Sequence, residues 1–72
     1  MAPNVASKFQ QILQGKLKYT SGNLGLNMLI SRLQRKVAAD PGCMAACIKE
    51  IDDFAAKYPT VVSTDFAKIA AL

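Results

Sequence analysis

The sequence predicts a small all-α protein, a four-helix bundle whose short connections favour antiparallel neighbours. Apolar residues recur every three or four positions in four segments, and no segment alternates apolar and polar residues as a half-buried strand does. An apolar content of 51%, with only four glycines and three prolines, is typical of a chain that folds. The 72 residues suit one domain, residues 1–72, with helices at about residues 4–15, 23–39, 41–58 and 63–71.

The first helix is predicted from Asn4, whose side chain can cap the helix by accepting a backbone hydrogen bond. Its apolar stripe consists of Val5, Phe9, Ile12 and Leu13. A continuation past Gly15 would put Lys16 into that stripe, so we expect the helix to end near Gly15.

The second helix follows a connector over residues 16–23 that is rich in turn-forming residues, and either Ser21 or Asn23 can cap it. Its stripe, which runs to about Ala39, consists of Leu26, Leu29, Ile30, Leu33 and Val37. These positions fall on one side of a helix, which predicts an amphipathic helix with a basic outer side.

The third helix is predicted to begin at Asp40-Pro41, because aspartate is a good N-cap and proline suits the first helical position. Its stripe consists of Met44, Cys47, Ile48, Ile51, Phe54, Ala55 and Tyr58. It should end at Tyr58, since Pro59 disfavours helical geometry in the residue before it.

The fourth helix is predicted after a second connector at residues 60–64, with Ser63 or Thr64 as its cap. Phe66, Ile69 and Ala70 would join Val62 on its apolar side.

The sequence predicts no enzyme activity, no cofactor and no metal site. The chain has no histidine, the side chain most often used for proton transfer near neutral pH. Asp52 and Asp53 are adjacent, so they point to different parts of a helix surface and suit solvent-exposed positions. The glycines of Ser21-Gly22-Asn23-Leu24-Gly25 lack the spacing of a phosphate-binding loop.

Cys43 and Cys47 lie four residues apart, on one face of the third helix and in its first two turns, where the helix dipole favours a thiolate. A redox pair is therefore one interpretation. A metal site is disfavoured, because two thiolates without histidine leave the coordination incomplete. The preferred interpretation is structural, with Cys47 in the core beside Met44 and Ile51.

The charges divide between the two halves of the chain. The first 39 residues carry six basic side chains and no carboxylate, whereas residues 40–72 carry five acids and three lysines. Such a division favours a partner of opposite charge, and an acidic protein surface is the first expectation.

The basic helix presents Arg35 opposite its apolar stripe, with Leu24 and Met28 beside it. Exposed Leu and Met next to arginine are compatible with a protein interface. The predicted function is thus a non-enzymatic protein–protein interaction or regulatory module, with a contact set of Leu24, Met28, Arg32, Arg35 and Lys36. In the structural alternative, this helix is central and Leu24 and Met28 are buried.

A first alternative function is nucleic-acid binding by a loose helix-turn-helix, formed by helix 1, the connector and helix 2. Its contact residues would be Lys16, Lys18, Asn27, Ser31, Gln34 and Arg35. The connector is longer than the usual turn, and the basic residues are not concentrated in one run, which weighs against it. A membrane-active or immunity-type small helical protein is the weaker second alternative.

No segment has the length and apolar composition of a membrane span, and the N-terminus does not resemble a secretory signal. Two cysteines without such a signal favour reduced thiols and a cytoplasmic location. A homo-oligomer is compatible with the sequence, because a core this small gives only marginal stability by itself.

Overall fold

The computed structural model describes all residues 1–72 and confirms the small all-α bundle. It contains four helices, α1 Pro3–Leu13, α2 Leu24–Ala39, α3 Met44–Lys57 and α4 Pro59–Ala70. A 3-10 turn, Pro41–Cys43, leads directly into α3.

One hydrophobic core joins the four helices. Its twelve buried members are Val5, Phe9, Ile12, Leu13, Leu26, Ile30, Leu33, Val37, Cys47, Ile51, Val62 and Ile69. Phe9 also meets Phe66 edge to face, with ring centroids 5.7 Å apart. α1 packs against each of the other helices, and α3 also packs against α2 and α4. Because α2 packs mainly on α1 and α3, its opposite side stays uncovered.

α1 differs from the prediction at its start and agrees with it at its end. Ala2, not Asn4, occupies the cap position and makes no side-chain bond, because Pro3 begins the helix with its fixed φ and its missing N–H. At the other end Gly15 has a φ of 76°. The Lys16 amide donates to the Gln11 carbonyl at 2.8 Å, and the Gly15 amide donates to the Ile12 carbonyl at 3.0 Å. This is a Schellman ending, which turns the chain out of the helix at Gly15.

The connector between α1 and α2 is held by side-chain hydrogen bonds. Asn23 caps α2 as predicted, its Oδ1 accepting from the Leu26 amide at 2.9 Å. Asn27 binds both backbone groups of Ser21, accepting from its amide at 2.8 Å and donating to its carbonyl at 2.7 Å. The two bonds fix a turn that would otherwise leave buried polar groups unpaired.

Asp40 caps the 3-10 turn that precedes α3, and its Oδ1 accepts from the Gly42 amide at 3.0 Å. The regular α-helix begins later than predicted, at Met44, with Cys43 as its cap residue and without a side-chain cap bond. The first turn after Asp40 is 3-10 rather than α-helical. The helix ends before Tyr58, as the following proline predicts.

The predicted connector over residues 60–64 is wrong, and so is the cap at Ser63 or Thr64. α4 begins at Pro59, leaving Tyr58 as the single residue between two helices. Pro59 both ends α3 and supplies the first position of α4, since proline is disfavoured inside a helix but suited to its start. Val62 is thereby helical and buried.

Candidate functional site

The outer side of α2 presents the two most exposed large apolar side chains of the protein. Leu24 is 73% exposed and Met28 is 64% exposed, so the alternative in which they are buried is wrong. With Asn27, Ser31 and Arg35 they line a surface depression of about 380 Å³. We call Leu24, Met28 and Arg35 the outer face of α2.

Arg35 is the basic member of the expected contact set that forms no ion pair. Arg32 and Lys36 instead reach α3, where both approach the Glu50 carboxylate, at 3.0 and 3.3 Å. Hydrogen bonds, first from Arg32 and then from Lys36, hold the pKa of Glu50 below its ordinary value despite partial burial. Arg32 and Lys36 are therefore engaged within the protein, which the sequence did not indicate.

The residues expected to contact nucleic acid divide into two groups. The amides of Asn27 and Gln34 serve the fold: Asn27 binds the backbone of Ser21, and Gln34 Nε2 donates to the Ile12 carbonyl at 3.1 Å. Both amides are engaged with backbone groups in this conformation, which weighs against their predicted role in contacting bases. The remaining members are exposed, namely Lys16, Lys18, Ser31 and Arg35.

A second surface, between α2, α3 and the start of α4, was missed by sequence reasoning. Phe54 and Tyr58 lie with ring centroids 4.9 Å apart, and both rings line two adjoining depressions of about 350 and 240 Å³. Gly25 lies against Phe54, since a Cβ there would stand 3.6 Å from the ring. The signal in the sequence is the four-residue spacing of two aromatic residues at the end of α3, but the predicted apolar stripe of this helix places both of them in the core.

The two cysteines lie together, with their Sγ atoms 3.5 Å apart. Cys47 is fully buried in the core, in agreement with the structural interpretation, whereas Cys43 is half-buried. Burial, followed by the hydrogen bond with Cys43, raises the pKa of Cys47, so the expected dipole-favoured thiolate is wrong for Cys47.

The acidic residues of α3 are distributed over its surface. Asp53 is paired with Lys49 at 3.2 Å, one helical turn away, and both side chains are largely exposed.

No group of three or more carboxylate, cysteine or histidine side chains is placed to hold a metal ion. None of the four helices combines the length and the apolar character needed to cross a membrane.

No protein family, curated protein or solved structure matches this chain. Its function is therefore inferred from its own residues and their geometry.

Proposed function

We propose that this protein is a non-enzymatic interaction module that binds an acidic protein surface through the outer face of α2. One observation carries the proposal: Leu24 and Met28, one helical turn apart, are exposed beside an arginine that forms no ion pair. Uncovered apolar side chains next to a cation are typical of interface cores, where methionine adapts its shape and arginine binds carboxylates.

The two apolar side chains supply part of the binding free energy. Complete burial of one leucine or methionine side chain is worth roughly 1.5–3 kcal/mol, whereas micromolar affinity needs about 8 kcal/mol after the entropy of association has been overcome. A partner must therefore cover more than these two residues. Asn27 and Ser31, which line the same depression, extend the contact along α2.

The charge of Arg35 selects an acidic partner. The Glu50 carboxylate partly balances Arg32 and Lys36, but they keep a positive charge at the edge of the outer face, because two cations share one anion. A positive surface accelerates encounter with an acidic partner and orients it, while burial of Leu24 and Met28 slows dissociation.

The test is affinity capture with quantitative mass spectrometry, comparing the unmodified protein with Arg35→Glu and with the double variant Leu24→Ser, Met28→Ser. Lys68→Glu is the matched control, since it makes the same charge change at an exposed site on α4. We expect a partner that is retained by the control and lost by both α2 variants, and that binds again as a purified protein. Equal capture by all four proteins would refute the proposal.

The salt dependence of binding distinguishes the nucleic-acid alternative from the proposed protein interface. Binding through phosphate contacts weakens steeply and log-linearly with salt, whereas an interface that includes apolar burial weakens only in part. We expect backbone amide NMR spectra to show no specific shifts with mixed-sequence duplex or single-stranded oligonucleotides at about 0.15 M salt, where exposed charges are well screened. Persistent shifts at residues 16–36 would favour nucleic acid instead.

A further inference from the structure

The paired thiols at the start of α3 form a site that the interaction surface does not use. We propose that Cys43 and Cys47 form a reversible oxidation site, which reacts with a small disulfide of the glutathione class and closes to a disulfide within the helix. The two Sγ atoms are already in van der Waals contact at 3.5 Å, and each is the hydrogen-bond partner of the other.

Closure needs a small movement of the backbone at one cysteine. Residues four apart in an α-helix have Cα atoms separated by about 6 Å, inside the range of about 4.4–6.8 Å that disulfides span, but their Cβ atoms are about 5–6 Å apart and a disulfide needs about 3.5–4.5 Å. Cys43 belongs to the 3-10 turn Pro41–Cys43 and not to the regular part of α3. It can therefore shift towards Cys47 at the start of the helix, where the first amides have no partner within the helix and few backbone bonds depend on its position.

The difference in burial sets the order of the two steps. Cys43 is half-buried and Cys47 is fully buried, so a dissolved disulfide reaches Cys43 first. The Cys43 thiolate attacks one sulfur of glutathione disulfide, an S–S bond forms to Cys43, and one glutathione leaves as its thiolate. The Cys47 thiolate then attacks Cys43 Sγ, and the second glutathione leaves. Two thiol protons pass to solvent, the dithiol is oxidised, and one disulfide is reduced to two glutathiones.

The second step should depend strongly on pH. Cys47 must lose its proton to attack, and burial raises its pKa, with a further contribution from Glu50 on the same helix. The contribution that Cys43 makes in the dithiol disappears once Cys43 is joined to glutathione, because its sulfur then carries no proton. Lys36 on α2 opposes burial and Glu50 by favouring the thiolate. Below that pKa the thiolate fraction, and with it the closure rate, rises about tenfold for each pH unit.

The experiment is intact mass spectrometry of the full chain after incubation with oxidised glutathione, acid quenching and alkylation of the remaining thiols. For the unmodified protein we expect a monomer that has lost two hydrogen atoms, carries no glutathione and resists alkylation. Cys47→Ala should stop at a stable adduct of one glutathione, and Cys43→Ser should stay unmodified while it is folded. Added reduced glutathione should restore the dithiol.

Three outcomes would overturn the proposal: an unmodified protein that stops at the glutathione adduct, oxidation only to linked dimers, or no oxidation by an excess of the disulfide. Helical circular dichroism of each variant establishes that it is folded. A dithiol reagent, phenylarsine oxide, gives a second readout of proximity. It should bind the unmodified protein and neither single variant, and the absence of binding to the unmodified protein would also count against the site.

Discussion

The hydroxyl of Tyr19, in the connector between α1 and α2, donates a hydrogen bond to the buried carboxylate of Asp65 on α4. Asp65 is 5% exposed, and together with Ser21 it is one of the two buried polar side chains of the protein. A buried carboxylate is costly unless it is hydrogen-bonded, so this single contact makes an acid acceptable there. It also ties the connector to a helix 46 positions further along the chain.

Removal of the Tyr19 hydroxyl should destabilise the protein. Tyr19→Phe keeps the ring but leaves Asp65 without its donor, and an unpaired buried polar group costs about 1–3 kcal/mol, or more when it is charged. Chemical denaturation should show this loss in the free energy of unfolding. Tyr58→Phe is the control, since its ring packs on Phe54 and its substitution should have little effect. A Tyr19→Phe variant as stable as the unmodified protein would mean that Asp65 finds another partner.

Stability should also fall in strongly alkaline solution. Burial, assisted by the hydrogen bond and the charge of Asp65, raises the pKa of Tyr19 to about 12 from an ordinary value of 10.0. The contribution of this group is therefore complete below about pH 10 and is lost as the pH rises towards 12, because the unfolded chain releases the proton first. Unfolding experiments across this window should give a steeper decline for the unmodified protein than for Tyr19→Phe. Parallel declines would contradict this assignment.

Asn27 should be more important for stability than its partly exposed position indicates. Asn27→Ala removes both hydrogen bonds to the Ser21 backbone, and we expect a loss of about 1–3 kcal/mol because Ser21 is buried and its amide and carbonyl would be left unpaired. Ser31→Ala, one turn further along the exposed side of α2, is the matched control and should be within about 0.5 kcal/mol of the original. Thermal unfolding compares the two, and equal melting temperatures would exclude the turn-fixing role.

The ion pairs of Glu50 with Arg32 and Lys36 should stabilise the fold modestly, and only at a pH where Glu50 is ionised. Its pKa is lowered by the hydrogen bonds from Arg32 and Lys36, so its contribution is present above the ordinary glutamate pKa and is lost as the pH falls through the lowered value. Because the carboxylate is about one-third exposed, the effect should stay below about 1 kcal/mol. Glu50→Gln should be slightly less stable than the original at neutral pH and equal to it in acid. A gap that persists in acid would indicate packing instead of charge.

Gly15 should resist substitution for backbone reasons alone. Its φ of 76° suits glycine, whereas a Cβ at this position would meet no atom within 4 Å. Gly15→Ala should therefore cost about 1 kcal/mol through strain and not through a clash. Gly22→Ala is the control, because that site is equally open and its φ is not positive, so it should be neutral or slightly stabilising. Denaturant midpoints of the two variants would decide the point.

The local signals in the sequence predicted the number of helices and most of their ends, but not where α1 and α4 begin. Asn23 caps α2, Gly15 ends the first helical segment and Tyr58 ends α3, each by interactions within a few residues. Pro59 correctly predicts the end of α3, but the sequence analysis does not predict its second role as the first residue of α4. The two roles have opposite consequences for residues 60–64, and local propensity does not choose between them.

Only the tertiary structure decided which polar and apolar groups are available to a partner. Periodicity placed Leu24 and Met28 on the side of α2 away from its apolar stripe, but their exposure depended on whether a neighbouring helix covers that side. The pairing of Arg32 with Glu50, 18 positions apart, and of Tyr19 with Asp65, 46 positions apart, likewise depends on how the helices pack. The sequence by itself determined that four helices form, where the first three end and which of their sides are apolar, because those preferences act within one or two turns; it did not determine where α1 and α4 begin. The packing of the helices decided which charged side chains are paired with one another and which remain unpaired on the surface.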